Sequence, residues 1–147
     1  MAIFSKNQYL IEKSSLTKRR THSKLKKRIS STLDYSSLKL TRKDRQKIPP
    51  KYFLGVVVSS LIYSKIPSEL EDLVLFVDGE WQTNKKKSAR EIISNVCSLD
   101  KNSINLITGA RLDKTYLIVN YADELAHYLF RNPNNSSFDS HQVKLIF

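Results

Sequence analysis

The chain has 147 residues, 40% of them hydrophobic and 10% aromatic, and a formal net charge of +11. This length and composition suit one globular domain with a single buried core. No stretch approaches the ~20 apolar residues that a membrane-spanning helix needs, so we expect no membrane partner. The one cysteine, Cys97, excludes an internal disulfide framework and favours a reducing compartment. Residues 1–13 lack the apolar core of a secretory signal, and we expect a cytoplasmic protein.

The positive charge is concentrated in the first third of the chain. Residues 1–51 contain 15 Lys and Arg against 3 acidic residues, a net charge of +12, whereas residues 52–147 have a net charge of −1. We interpret residues 1–28 as a basic, flexible arm and residues 29–147 as a single α/β domain. Clustered cations bind polyanions by releasing the counterions condensed on phosphates, which predicts RNA or DNA as partner; a solubilising tail or an anionic-membrane patch is the alternative. The predicted nucleic-acid contacts are Lys18, Arg19, Arg20, Lys24, Lys26, Lys27 and Arg28.

The first elements of the domain are weakly marked. Residues 29–40 alternate only in part, which is a weak signal for a strand or hairpin. Residues 41–47 are predicted to be a charged connector. The valines of residues 48–65 favour a strand, but the apolar positions also follow helical spacing, and we predict a helix there. That apolar stripe consists of Leu54, Val57, Val58, Leu61 and Ile62.

Residues 73–80, Leu-Val-Leu-Phe-Val-Asp-Gly-Glu, carry the strongest strand signal. Five consecutive apolar residues predict a central strand that is buried on both faces and flanked by parallel neighbours. Open α/β sheets place their chemistry at the carboxyl ends of such strands, where Asp78 lies with Glu80 just beyond it. Asp78-Gly79 is equally typical of a turn that closes the strand. Both interpretations stand on this segment.

A βαβ unit is predicted from the segments that follow. Residues 81–87 are interpreted as a polar loop, residues 88–99 as an amphipathic helix and residues 103–109 as the next strand. A strand, a helix and a strand within about 35 residues predict parallel pairing of the two strands. Cys97 lies beside the helix stripe, which is typical of a small buried hydrophobe rather than a nucleophile.

The last strong element is a helix over residues 121–131. Asp123 lies at the rim of its apolar face, where a carboxylate of a cleft would lie. If Asn120 were the N-cap, Asp123 would instead stabilise the first helical turn through the helix dipole. Residues 143–147 are predicted to form a short edge strand. The buried face of the helix is predicted to contain Ala122, Leu125, Ala126 and Leu129.

This order of motifs resembles the ribonuclease-H-like superfamily, in particular its uncharacterised members in prokaryotes and mobile elements. The similarity covers roughly residues 51–131 and implies an α/β fold, a mixed sheet with flanking helices, preceded here by the basic arm. In that family one carboxylate lies on an early strand, a second ends a central strand, and a third opens a helix in an Ala-Asp-x-x-Ala context. Asp78 matches the second carboxylate and Asp123 the third, with Ala122 and Ala126 in their expected places.

The first family carboxylate is followed by serine and glycine, and its only counterpart here is Asp34 in Leu-Asp-Tyr-Ser-Ser, which lacks the glycine. The resemblance implies catalytic roles for Asp34, Asp78 and Asp123, with Asp78 and Asp123 as ligands of Mg²⁺ or Mn²⁺. Without Asp34, a further ligand would have to come from Asp113 or Glu80. The implied activity is that of a metal-dependent nuclease. The alternatives are a non-catalytic nucleic-acid-binding protein and a structural or assembly protein with a degenerate nuclease fold.

Overall fold

The computed structural model describes residues 36–66, 70–132, 142–143 and 145. The predicted arm of residues 1–28 and Asp34 lie outside the described residues. The described part is mixed α/β, as the sequence predicts. Its elements in chain order are β1 (Ser37–Leu38), α1 (Arg42–Gln46), α2 (Phe53–Ile62), β2 (Leu73–Asp78), α3 (Thr83–Cys97), β3 (Ile104–Gly109), α4 (Leu112–Thr115), α5 (Leu117–Arg131) and β4 (Gln142–Val143).

The predicted βαβ unit is confirmed. β2 and β3 pair in parallel over their whole length, from Leu73 opposite Ile104 to Asp78 opposite Gly109, with α3 connecting them. The helix predicted within residues 48–65 is also confirmed as α2. In a second parallel pair, β1 lies beside β4, which includes Val143 of the predicted edge strand.

The burial predicted for β2 is wrong in one respect. Leu73, Leu75 and Val77 are buried, but Val74 is 46% exposed, so the strand alternates instead of being buried on both faces. In the described part of the chain, β2 has one parallel neighbour, β3, and not one on each side. An unbroken apolar run does not reveal this alternation, because Val74 is as apolar as the neighbours that are buried. Phe76, on the same face as Val74, is half-buried, and its ring centroid lies 4.6 Å from the ring centroid of Tyr116.

Helices pack on both faces of the β2–β3 pair. On one face, Leu75 and Leu106 belong to a buried cluster that includes residues of α2 and α3. On the other face, Phe76 and Ile107 pack against a second cluster centred on Leu125 of α5. Because successive strand residues point to opposite faces, these two clusters lie on opposite sides of the strands. This layered arrangement places α2 and α5 around the carboxyl end of β2.

Two segments predicted to be irregular are helical. Residues 41–47 contain α1, whose first turn is closed by a capping box: Thr41 Oγ1 accepts a hydrogen bond from the Asp44 amide at 3.1 Å, and Asp44 Oδ2 accepts one from the Thr41 amide at 3.0 Å. α3 begins at Thr83, so most of the predicted loop over residues 81–87 is its first turn. Lysine is a good helix former, but exposed lysines give no apolar periodicity by which a helix is predicted.

α2 and α3 approach each other closely at Gly55. A Cβ atom on Gly55 would lie 2.8 Å from Cδ1 of Ile92 and 3.0 Å from Cα of Ala89. We expect Gly55→Val to lower the free energy of unfolding by about 1–3 kcal/mol through overpacking. Urea denaturation measures the change. Helix propensity alone favours valine over glycine, so a stabilised variant would contradict the close contact.

Candidate carboxylate site

The carboxyl end of β2 is closed by a glycine turn. Gly79, just beyond β2, and Gly109, the last residue of β3, exchange two main-chain hydrogen bonds of 3.0 Å. Gly79 has a φ of +105°, a conformation that side-chain-bearing residues rarely adopt. The turn brings Trp81 back toward the strand, where its Nε1 donates a hydrogen bond to the carbonyl oxygen of Asp78 at 3.3 Å. Asp78-Gly79 therefore ends the strand, with Gly79 in the left-handed region that favours glycine.

The same turn also presents the Asp78 carboxylate. Its Oδ1 accepts a hydrogen bond from the backbone N–H of Leu112, the first residue of α4, at 2.8 Å. A hydrogen bond to an ionised carboxylate is stronger than one between neutral groups, so this contact orients the side chain and joins β2 to α4. The second oxygen, Oδ2, is a further acceptor at this end of the sheet. The turn and the site interpretations of Asp78 are thus compatible.

Asp123 does not occupy the start of its helix. α5 begins at Leu117 with Tyr116 as N-cap, four residues before the predicted start at residue 121, so the alternative in which Asn120 caps the helix is wrong. Asp123 lies six residues after the first helical residue, whereas the favourable effect of the helix dipole is confined to the first turn. The helix dipole therefore does not explain why an acidic residue stands at position 123. No side chain caps α5 by a hydrogen bond, so its start carries none of the usual sequence signals.

Asp78 and Asp123 line the same cavity, which has a volume of about 260 Å³. The predicted pair is therefore brought to one site in the structure. The remaining walls come from α2, the end of β2 and α5, and they are apolar. Among the lining residues are Phe53, Val57, Leu61, Trp81 and Val119.

The other candidate ligands lie elsewhere. Asp113 forms an ion pair with the neighbouring Lys114, with 3.2 Å between Oδ2 and Nζ, and is not part of the cavity lining. Glu80 is exposed in the turn after β2 and does not line the cavity either. Asp34 lies outside the described residues.

The donor set suits a hard divalent cation. Mg²⁺ is commonly held by one or two carboxylates and completes its octahedron with waters and substrate phosphates. Asp78 and Asp123 are the two carboxylates that line the cavity. Among the described residues, no group of three or more His, Cys, Asp and Glu side chains is placed to hold a metal ion. A site with two cations would require further carboxylates.

Cys97 is not part of the site. It is half-buried at the end of α3 and packs against the cluster that contains Leu75. Burial raises the pKa of the Cys97 thiol, which keeps it protonated and poorly nucleophilic at neutral pH. The structural role that the sequence suggests agrees with this environment.

Fold and site together define a mixed α/β protein with two carboxylates at the carboxyl end of a parallel βαβ unit. The chain matches no protein-family model, no curated protein and no solved structure. None of the helices in the described ranges is long and apolar enough to cross a membrane.

Proposed function

We propose that this chain is a cytoplasmic, nucleic-acid-associated protein of the ribonuclease-H-like superfamily. In this proposal Asp78 and Asp123 hold a divalent cation, Mg²⁺ or Mn²⁺, beside the bound nucleic acid. The observation that carries the proposal is the cavity that both carboxylates line. The position of the cavity also supports the proposal, since open α/β sheets bind their ligands beyond the carboxyl ends of parallel strands. The basic residues of 1–28 would supply the affinity for phosphates.

The side chains around the cavity have separate tasks in this proposal. The N–H of Leu112 fixes the Asp78 carboxylate, and α5 holds Asp123 in the body of a helix rather than at a fraying end. A bound cation would activate water and neutralise charge on a phosphate oxygen. Asp34 remains the predicted third carboxylate.

Divalent cations are expected to stabilise the folded protein. A ligand that binds only the folded state adds about 2.7 kcal/mol at a concentration of 100 Kd, which corresponds to a rise in Tm of several degrees. Asp78→Asn and Asp123→Asn should each diminish the rise produced by Mg²⁺ or Mn²⁺, and Asp34→Asn should have a smaller effect. Thermal unfolding with and without the cation measures these shifts.

The matched control for that experiment is Asp72→Asn. Asp72 is exposed just before β2, at the opposite end of the strand from Asp78. Asparagine at position 78 retains an Oδ1 acceptor for the Leu112 N–H, so the variant keeps the contact that joins β2 to α4. A cation shift that is unchanged in both site variants, or is lost equally in Asp72→Asn, would contradict the proposed metal site.

A non-catalytic binding or assembly protein is the second candidate function. Two observations favour it: the cavity walls are apolar apart from the two carboxylates, and the described residues supply no third ligand. Incubation of labelled RNA and DNA with the protein and Mg²⁺ or Mn²⁺ separates the candidates. Cleavage that is lost in Asp78→Asn supports the nuclease. Binding without cleavage supports the non-catalytic protein.

A further inference from the structure

A second basic surface, separate from residues 1–28, is formed by α1 and the turn into α2. We call it the α1 surface; it consists of Arg42, Lys43, Arg45, Lys51 and Tyr52. All five residues are exposed, and α1 buries none of its side chains. Because no residue of α1 is buried, its basic side chains are accessible to a partner.

Asp44 is the one acidic residue among residues 42–51, and its carboxylate forms part of the N-terminal cap of α1. Asp44 Oδ2 accepts hydrogen bonds from the amide of Thr41 at 3.0 Å and from its hydroxyl at 2.7 Å. These bonds lower the pKa of Asp44, so it stays ionised and directed at the helix start. Residues 42–51 contain five basic residues and this one acid, which leaves the segment strongly positive.

Aromatic rings lie beside these cations, and one of them, Phe53, also lines the carboxylate cavity. The Arg45 guanidinium carbon lies 5.0 Å from the centroid of the Phe53 ring, and the Lys51 ammonium lies 5.6 Å from that of Tyr52. Phe53 and Trp81 line the cavity together with Asp78 and Asp123. Arg45 and Phe53 thus connect α1 to the wall of the cavity.

We infer that the α1 surface binds single-stranded nucleic acid, with phosphates on its cations and a base stacked on Tyr52, the residue before Phe53 of the cavity wall. This inference rests on the proposed function and specifies its substrate class. Proteins that bind single strands combine a basic groove with aromatic rings on which bases stack. In a duplex the base faces are covered by neighbouring base pairs, so Tyr52 would have no face to contact.

Fluorescence anisotropy on the full chain tests this inference, with labelled oligothymidine and a labelled duplex of equal length as probes. We expect the single strand to bind more tightly than the duplex. Tyr52→Ala should weaken single-strand binding about tenfold, while Tyr52→Phe retains it and duplex binding changes little. Arg45→Gln should reduce the slope of log affinity against log salt for the single strand by about 0.7.

The chain offers a close control for each change. Tyr63 is 63% exposed at the other end of α2, and Lys101 is exposed at the amino end of β3. Tyr63→Ala and Lys101→Gln should leave the affinity and the salt slope unchanged. Tyr52 makes no side-chain cap bond to α2, so its replacement does not remove a helix cap. Equal urea midpoints for the variants establish that folding is intact.

The outcomes separate this inference from the proposed function. Equal affinity for duplex and single strand, or equal losses in Tyr52→Ala and Tyr63→Ala, would overturn the single-strand inference and leave the metal site and the basic arm standing. If the full chain bound neither probe at low salt, both the single-strand inference and the proposed association with nucleic acid would be overturned. Selective loss of single-strand binding in Tyr52→Ala, with the cation-induced rise in Tm preserved, would support the inference.

Discussion

Val77→Asp is expected to unfold the domain. Val77 is 6% exposed and belongs to the cluster in which β2 packs against α2 and α3. An unpaired carboxylate in this position loses its hydration without gaining a partner, at a cost of several kcal/mol. That is a large share of the roughly 5–15 kcal/mol by which a domain is stable. Far-UV circular dichroism and urea denaturation measure the loss.

Val74→Asp is the matched control for Val77→Asp. Both changes introduce the same charge into the same strand, but Val74 is 46% exposed and points to the other face. A carboxylate there remains hydrated, so this variant should fold cooperatively with a midpoint near that of the wild type. If Val77→Asp also folded cooperatively near the wild-type midpoint, the assignment of the buried face of β2 would be wrong.

Removal of residues 1–28 is expected to have the largest effect on nucleic-acid binding. This segment contains nine Lys and Arg and one acid. Each neutralised phosphate contributes about 0.7 to the salt slope for single strands, so the loss of all nine contacts would flatten the slope by about six. Titration of labelled oligonucleotide at several salt concentrations measures the slope.

A full-length variant distinguishes the charge of this segment from its length. It carries glutamine at the seven predicted contact positions from Lys18 to Arg28, so the chain keeps its length and loses only charge. We expect it to reproduce most of the effect of the deletion. If the deletion and the glutamine variant both matched the wild type in affinity and salt slope, residues 1–28 would not be the part of the chain that binds nucleic acid.

The parts of the fold with strong hydrophobic periodicity could be predicted from the sequence. The apolar stripes of α2 and α3 and the run in β2 are such signals, and the parallel βαβ unit follows from them. α1 could not be predicted in the same way, because its residues are polar and exposed on every side. Its capping box, Thr41 with Asp44, was the available signal for a helix start.

In the candidate site too, some features follow from local sequence signals and others do not. Asp78 could be predicted because a carboxylate directly follows an apolar strand, and Asp123 because it interrupts the rim of an apolar helix face. The start of α5 was misplaced because Asn120 is a common N-cap type, whereas Asn120 is buried within the helix. The cavity wall formed by Phe53 and Val57 depends on packing between distant segments, which local periodicity does not encode.

Direct measurement of Mn²⁺ binding tests the central claim that Asp78 and Asp123 form a cation site. Electron paramagnetic resonance of the full chain titrated with Mn²⁺ reports the fraction of bound ion. We expect saturable binding that is strongly weakened in Asp78→Asn and in Asp123→Asn. Glu91→Gln, which removes an exposed carboxylate of α3 outside the cavity, should bind as the wild type does. Mn²⁺ binding that is undiminished in both aspartate variants would contradict the claim.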